Sequence, residues 1–267
     1  MASKQRLDLE LVARGLVASR QQAQQLIRAG KVRDGAGTVL DKPGHDVKDS
    51  VQLQVEHPPR FVSRGGEKLL AGLDAFPISV QERICLDGGI STGGFTDCLL
   101  QHGAKRVYGV DVGYGQTAWS LRTDDRVVLR ERTNLRHLQP EALYGEADPW
   151  PTLAVTDVSF ISLRLILPAL RRLLHGSDAE ALVLVKPQFE VGRDRVGRGG
   201  VVRDPAAHCD AIEMVITAAA ALDWFAQGIV ASPITGPAGN HEYVLWLGAN
   251  RTAPEFDLQL LVKSTLH

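Results

Sequence analysis

The sequence predicts an α/β protein: a doubly wound, mainly parallel seven-stranded sheet preceded by a small α+β unit. Three observations carry this. From residue 84 onward, seven short apolar runs alternate with helical stretches. Ahead of them, His57-Pro58-Pro59 separates two different patterns, since adjacent prolines suit neither helix nor sheet. The first apolar run opens directly into a glycine-rich turn, LDGGISTGGF, as happens where an open α/β sheet binds a ligand.

In chain order, Leu7, Leu9, Leu11 and Val12 lead to Gly15, which suits a helix end. Ser19 is a candidate N-cap for a second helix from Arg20 to about Ala29, closed by Gly30. Short strands are expected near Val32, Val39-Leu40 and Val51-Leu53-Val55. Beyond the prolines, helices are expected near 66–76, 93–102, 162–174 and 205–224. Strands are expected at 84–86, 107–110, 127–129, 153–155, 182–185, 229–230 and 243–247. The resulting divisions are a first domain over 1–58, a linker over 59–64, a second domain over 65–250 and a tail over 251–267.

Composition narrows the function classes. Three cysteines, Cys85, Cys98 and Cys209, have no metal-type spacing and are odd in number, which points to a reducing interior and to no metal site. The polar start MASKQRLDLE shows no signal peptide, and no apolar run is long enough to span a bilayer. A cytoplasmic protein without a membrane partner is expected; oligomeric state is not readable. A net charge of -1 makes no overall case for nucleic acid. Its distribution does, because residues 1–33 hold seven basic side chains against two acidic ones.

That basic segment, RLDLELVARGLVASRQQAQQLIRAGKV, resembles the RNA-binding fold named after small-subunit ribosomal protein S-four. The resemblance implies that Arg6, Ser19, Arg20, Gln21, Arg28 and Lys31 face structured RNA. Without it, the helix pair reads equally as a solvated amphipathic unit.

In the second domain, Asp87 ends the first strand and is followed by Gly88, Gly89, Ser91, Thr92, Gly93 and Gly94. Glycines at this edge let a ligand approach the backbone closely. Asp111 ends the next strand, 24 residues later, where a carboxylate can accept both hydroxyls of a cofactor ribose. A dinucleotide site would prefer G-x-G-x-x-G with a pyrophosphate at the helix start. D-G-G-x-S-T-G-G-F instead resembles the first motif of class I (Rossmann-like) methyltransferases, which implies S-adenosyl-L-methionine as cofactor. Phe95 closes that motif, Val112 follows Asp111, and Asn134 lies in ERTNLRHL; these three and Asp157 complete the implied cofactor pocket.

Lys68, Asp157, Lys186 and Glu242 are far apart in sequence, but three of them stand at strand ends. Lys186 directly follows LVLV, so its charge must reach a cleft or a partner. Together the four resemble the Lys-Asp-Lys-Glu tetrad of FtsJ-type ribose 2′-O-methyltransferases, with SRGGEKL matching the segment around the first lysine. Over residues 5–248 the chain resembles the TlyA (hemolysin A) family, including TDVSFISL and KPQFE. The resemblance implies methylation of cytidine ribose 2′-hydroxyls in ribosomal RNA, with rRNA or ribosomal subunits as partners.

On that reading Lys186 is the base, Lys68 is a neighbouring cation favouring its neutral form, and Asp157 and Glu242 orient the lysines and hold the ribose. Glu190, close to Lys186, is a rival for the fourth place, ranked below Glu242. Residues 191–204 carry Arg193, Arg195, Arg198 and Arg203 among glycines, and are expected to form a mobile loop clamping RNA phosphates. Two other readings compete: a membrane-active, hemolysin-like protein, and a non-catalytic ribosome-assembly factor that binds RNA.

Overall fold

The computed structural model describes residues 4–57, 59–250 and 254–266. It divides into two compact units, Met1–Pro59 and Arg60–His267.

The first unit runs β1 (Lys4–Arg6), α1 (Leu7–Ala13), α2 (Arg20–Arg28), β2 (Val32–Asp34), β3 (Asp46–Lys48) and β4 (Leu53–Val55). Strand β1 pairs antiparallel with β3, and β2 with β4. Leu7 and Leu11 on α1 and Ala23, Leu26 and Ile27 on α2 are buried together with Val32 and Val47. The Ser19 hydroxyl caps α2 by accepting from Gln22 N at 3.2 Å. Two expected strands are shorter than predicted: Val39 makes only a single bridge to Arg33, and the last strand begins at Leu53 rather than Val51. Near Val39 the Asp34 carboxylate accepts from Ala36 N and Thr38 N and turns the chain, while Val51 is taken up by a turn to Lys48 O and by Arg14, which donates to its carbonyl.

The second unit contains α3 (Gly65–Ala75), β5 (Ile84–Gly88), α4 (Gly94–Gln101), β6 (Arg106–Val110), α5 (Trp119–Arg122) and β7 (Val127–Arg130). Then follow α6 (Pro140–Leu143), β8 (Leu153–Thr156), α7 (Leu163–Arg172), β9 (Glu180–Val185), α8 (Pro187–Glu190) and α9 (Pro205–Ala220). The chain closes with β10 (Phe225–Ala231), β11 (Tyr243–Gly248) and α10 (Leu258–Leu266). The seven strands lie in the order β10-β11-β9-β8-β5-β6-β7. All neighbours are parallel except β11, which runs antiparallel to both β9 and β10.

Burial on both faces explains why the central strands read as continuous apolar runs rather than alternating ones. Successive residues supply opposite layers. Cys85, Val107, Leu153 and Leu182 join one apolar cluster with Leu69 of α3 and Leu99 of α4. Leu86, Tyr108, Ala154 and Val183 join another with Leu167 of α7 and Ile212 of α9.

Two boundaries differ from the sequence expectation. Residues 60–64 are part of the second unit and not a linker: Phe61 is buried beside Leu69, and Val62 N donates to Asp97 Oδ2 at 2.8 Å. The expected tail contains α10, whose Val262 is fully buried in the main core, with Phe256 and Leu261 packed alongside. Residues 251–253 and 267 of that tail lie outside the described residues.

The chain moves outward from β5 through β6 to β7, then returns to the opposite side of β5 as β8 and β9. The carboxyl ends of β5 and β8 thus flank a topological switch point, where open α/β sheets place their ligands. Two glycines shape this edge. Gly93 has φ +99, a left-handed conformation that side chains resist, and a Cβ on Gly94 would lie 2.8 Å from Gly66 N. The start of α4 therefore packs directly against the start of α3.

Candidate active site

A crevice opens at the switch point. Its lining includes Gly89, Ser91, Thr92, Gly94 and Phe95 after β5, Asp111 and Val112 after β6, Asn134 after β7, and Asp157 after β8. Nine of the expected cofactor residues therefore share one wall-to-wall cavity. Three others, Asp87, Gly88 and Gly93, do not line it. Gly88 is enclosed by Leu135 and Leu170, and Gly93 faces Leu121, so their role is to let the turn pack. Sequence reasoning missed Ser63, Arg64, Gln116, Thr133, Ser159 and Phe160 on the same lining. Ser63 and Arg64 stand inside the SRGGEKL motif and Thr133 inside ERTNLRHL, so the signal was present; Gln116 carries none.

Asp111 is fixed by backbone donors from two different turns. Its Oδ2 accepts from Ser91 N at 2.8 Å and its Oδ1 from Gly113 N at 2.6 Å. This ties the turn after β5 to the turn after β6 and leaves a carboxylate at the crevice edge. Asp87 is entirely buried: Oδ2 accepts from Thr96 Oγ1 at 2.7 Å, while Oδ1 has no hydrogen-bond partner among the described residues. Burial pushes its carboxyl up to about 7, opposed by the Thr96 bond and assisted by the charge of Asp157. An orphaned acceptor beside a glycine turn fits a cofactor that carries an ammonium and no phosphate.

A pH dependence follows. The folded-state value lies above the ordinary one, so this group's contribution to stability is complete below about pH 4 and is lost as pH rises through about 7. A bound cation favours the ionised form, so affinity for S-adenosylmethionine should tighten by roughly tenfold between pH 6 and pH 8. Calorimetric titration across that range checks this. Asp87→Asn should abolish the slope, and a slope that survives would remove Asp87 from cofactor binding.

At the crevice floor the four dispersed residues meet. Lys68 Nζ donates to Glu242 Oε2 at 2.5 Å and lies 3.8 Å from Asp157 Oδ2. Lys186 Nζ is 2.6 Å from Asp157 Oδ1 and donates to Ser159 Oγ at 2.7 Å. The result is a continuous chain, Glu242–Lys68–Asp157–Lys186–Ser159, in which one carboxylate serves two ammonium groups. Lys68, Lys186 and Glu242 are buried, so these charges are held where pairing is required. Lys68, Asp157, Lys186 and Ser159 also line the crevice, so the chain of charges faces the cavity shared by the expected cofactor residues.

Glu190 is not part of this chain. It accepts from Ser162 Oγ at 2.5 Å and from Leu163 N at 2.7 Å, closing the amino end of α7. Burial raises its carboxyl while these bonds pull it down. Its nearness to Lys186 in sequence reflects only the short α8.

The segment 191–204 also differs from expectation. Arg195 is ion-paired with Asp204 at 3.1 Å and with Asp210. Val202 N donates to Asn240 Oδ1 at 3.0 Å, and Val191, Val196 and Val202 pack on Ala207 and Ala211. It is a pinned segment rather than a mobile loop, and Arg195 is engaged within the protein. Arg193 and Arg198 remain exposed.

In the N-terminal unit, Gln21 and Arg28 are exposed, Ser19 serves as the helix cap, and Lys31 pairs with Glu56 at 2.6 Å. Arg6 and Arg20 both bond to the buried Asp8. Among the described residues no helix is long and apolar enough to cross a membrane.

Comparison with known proteins supplies the family context. Residues 61–249 match the FtsJ-like methyltransferase family and residues 5–53 match the S4 domain. The chain is 53% identical over 250 residues to the 16S/23S rRNA (cytidine-2′-O)-methyltransferase TlyA of Mycobacterium tuberculosis, covering 92% of this chain and 91% of that protein. It is 50% identical to YqxC of Bacillus subtilis, described as a candidate rRNA methyltransferase, covering 95% and 90% respectively. A solved structure from Streptococcus thermophilus, described as a candidate hemolysin, superposes with a TM-score of 0.72 at 40% identity, covering 99% of this chain and 96% of that one.

Proposed function

We infer, from the premise that this chain belongs to the FtsJ-like methyltransferase family, that it methylates a cytidine ribose 2′-hydroxyl in ribosomal RNA. The family makes it an enzyme that uses S-adenosylmethionine. The single observation carrying the reading of the chemistry is the Glu242–Lys68–Asp157–Lys186 chain at the floor of the cofactor crevice. The substrate reading rests on the S4 domain and on the activity named for the TlyA relative.

The cofactor supplies an electrophilic methyl group on a sulfonium centre. This chain's own residues do the rest. The turn after β5 and the Asp111 carboxylate would hold the cofactor, and the charge of the buried Asp87, set behind that turn, would favour its ammonium. A ribose 2′-hydroxyl is a weak nucleophile and must lose its proton as it attacks. Lys186 Nζ, at the crevice floor, is the group placed to take that proton. Asp157 and Ser159 then hold the resulting ammonium. Lys68 shares Asp157 with Lys186, and Glu242 fixes Lys68 in place. Holding the hydroxyl in place for attack would supply much of the rate by positioning alone.

Ribosomal subunits are the partners this reading requires, and the cytoplasm is its place of action. Mapping ribose methylation by mass spectrometry in rRNA from cells with and without the enzyme tests it. One or more 2′-O-methylcytidines should disappear in its absence. Identical maps from the two strains would overturn the assignment.

A further inference from the structure

We propose that Asp8 is a positioning residue, which holds Arg6 and Arg20 as a paired guanidinium clamp for phosphates of the RNA substrate. The inference rests on the reading of RNA as substrate and names the device that grips it. Asp8 is fully buried in the N-terminal unit, on the first turn of α1. A carboxylate in that position is costly unless its oxygens are satisfied. Four donors satisfy it. Arg6 Nε reaches Oδ1 at 3.1 Å and Arg6 Nη2 reaches Oδ2 at 3.0 Å. Arg20 Nε and Gln24 Nε2 reach Oδ2 at 3.0 and 2.8 Å. These partners, Arg6 foremost, hold the carboxyl far below the usual range.

The arrangement is asymmetric in a telling way. The carboxylate is sealed, yet the side chains of Arg6 and Arg20 are 45% and 53% exposed. A guanidinium carries five N–H donors. Arg6 uses two on Asp8 and Arg20 one, so most of their donors remain directed elsewhere. One negative charge gathers two positive ones, leaving a net positive pair whose spacing is set from inside the unit. Arg6 comes from the end of β1 and Arg20 from the start of α2. Without Asp8, two like charges from separate elements would have no reason to converge. Fixing rotamer-rich side chains before binding lowers the ordering cost paid on association, and forked guanidinium donors match phosphate oxygens.

The proposal makes a prediction opposite in sign to simple electrostatics. Asp8→Asn removes a negative charge from a protein that binds a polyanion, which by charge alone should tighten binding. Loss of the clamp should weaken it instead. The full-length enzyme would be titrated with ribosomal subunits purified from cells lacking it, over a range of salt concentrations. For D8N we expect Kd to rise by about tenfold, the salt slope to fall by about one to two, and KM for subunits to rise with kcat at saturation retained. In an Arg6→Ala/Arg20→Ala background, D8N should have no further effect, because the groups it positions are gone. A merely structural aspartate would subtract from affinity in both backgrounds.

Should D8N disturb melting of the N-terminal unit, R6K/R20K takes its place. That variant keeps both charges without the forked donors and should lose affinity similarly. Undiminished binding by D8N, an equal loss in both backgrounds, or undiminished binding by R6K/R20K would each overturn the clamp. Failure of the wild-type enzyme to bind or methylate subunits would instead defeat the RNA reading on which the clamp stands.

Discussion

Lys186→Ala is expected to lower methyl transfer by roughly 10²- to 10⁴-fold, the range that a positioned general base contributes, while cofactor and RNA affinities stay near wild type. β9 is apolar through Val185 and fully buried over its last residues, so the chain has no reason to place an ammonium next unless the fold opens there. It does open there, onto the crevice, with Nζ held between Asp157 and Ser159. Lys186→Arg sharpens the test. Arginine keeps the charge and can pair with Asp157, but it does not give up its proton in a protein. It should therefore be nearly as inactive as alanine, whereas a purely electrostatic role would be rescued. Single-turnover transfer measured beside calorimetric cofactor titration separates the steps. Near-wild-type transfer by Lys186→Ala with both ligands bound would sink the assignment.

Most of the second unit was legible because its strands are buried on both faces. Runs such as ICL, VYGV and LVLV read as strands whatever their neighbours do, and all seven were found near their expected positions. What was not legible is short or polar. β1 and β3 are three-residue strands made largely of charged or polar residues, Lys4–Arg6 and Asp46–Lys48, and their pairing across some forty residues is a tertiary fact. Helices α5, α6 and α8 are single turns of four residues, too short to show a helical period. α10 was overlooked for a different reason: its one fully buried residue, Val262, needs the exposed face of α9 to define it.

The site divides the same way. Residues at strand ends were readable because an α/β sheet delivers strand ends to one edge. Side chains whose meaning depends on a distant partner were not. Ser159 looked like part of a family signature, and only the fold shows it accepting from Lys186. Arg195 looked like one more free cation, until Asp204 and Asp210 are seen to claim it. Glu190 is the clearest case, since it follows Lys186 after only three residues while its bonds run to Ser162 and Leu163. Asp8 went unread because a lone aspartate among basic residues lowers the apparent case for RNA; buried, it strengthens that case.

Glu242→Leu should cost about 3–5 kcal/mol of folding stability, as expected when one member of a buried pair is removed and the other is stranded. Glu242 is 2% exposed and Lys68 7%, and their bond is the shortest in the tetrad. Without it, Lys68 retains only Asp157 at 3.8 Å. The informative partner variant is Lys68→Met/Glu242→Leu. Replacing both charges with apolar side chains of similar volume removes the stranded ion, so urea unfolding should show most of the lost stability restored. Methyl transfer should not return, because Asp157 would then face Lys186 alone and the chain of charges would have lost two of its four members. Stability would thus recover from the single to the double variant while activity stays lost. A double variant that is both stable and active would mean that Lys68 and Glu242 serve packing only. A single variant as stable as wild type would mean that water reaches Lys68 freely, against its burial. The stable but inactive double variant is the expected outcome, and it would mark this ion pair as retained for chemistry at the expense of a better-packed core.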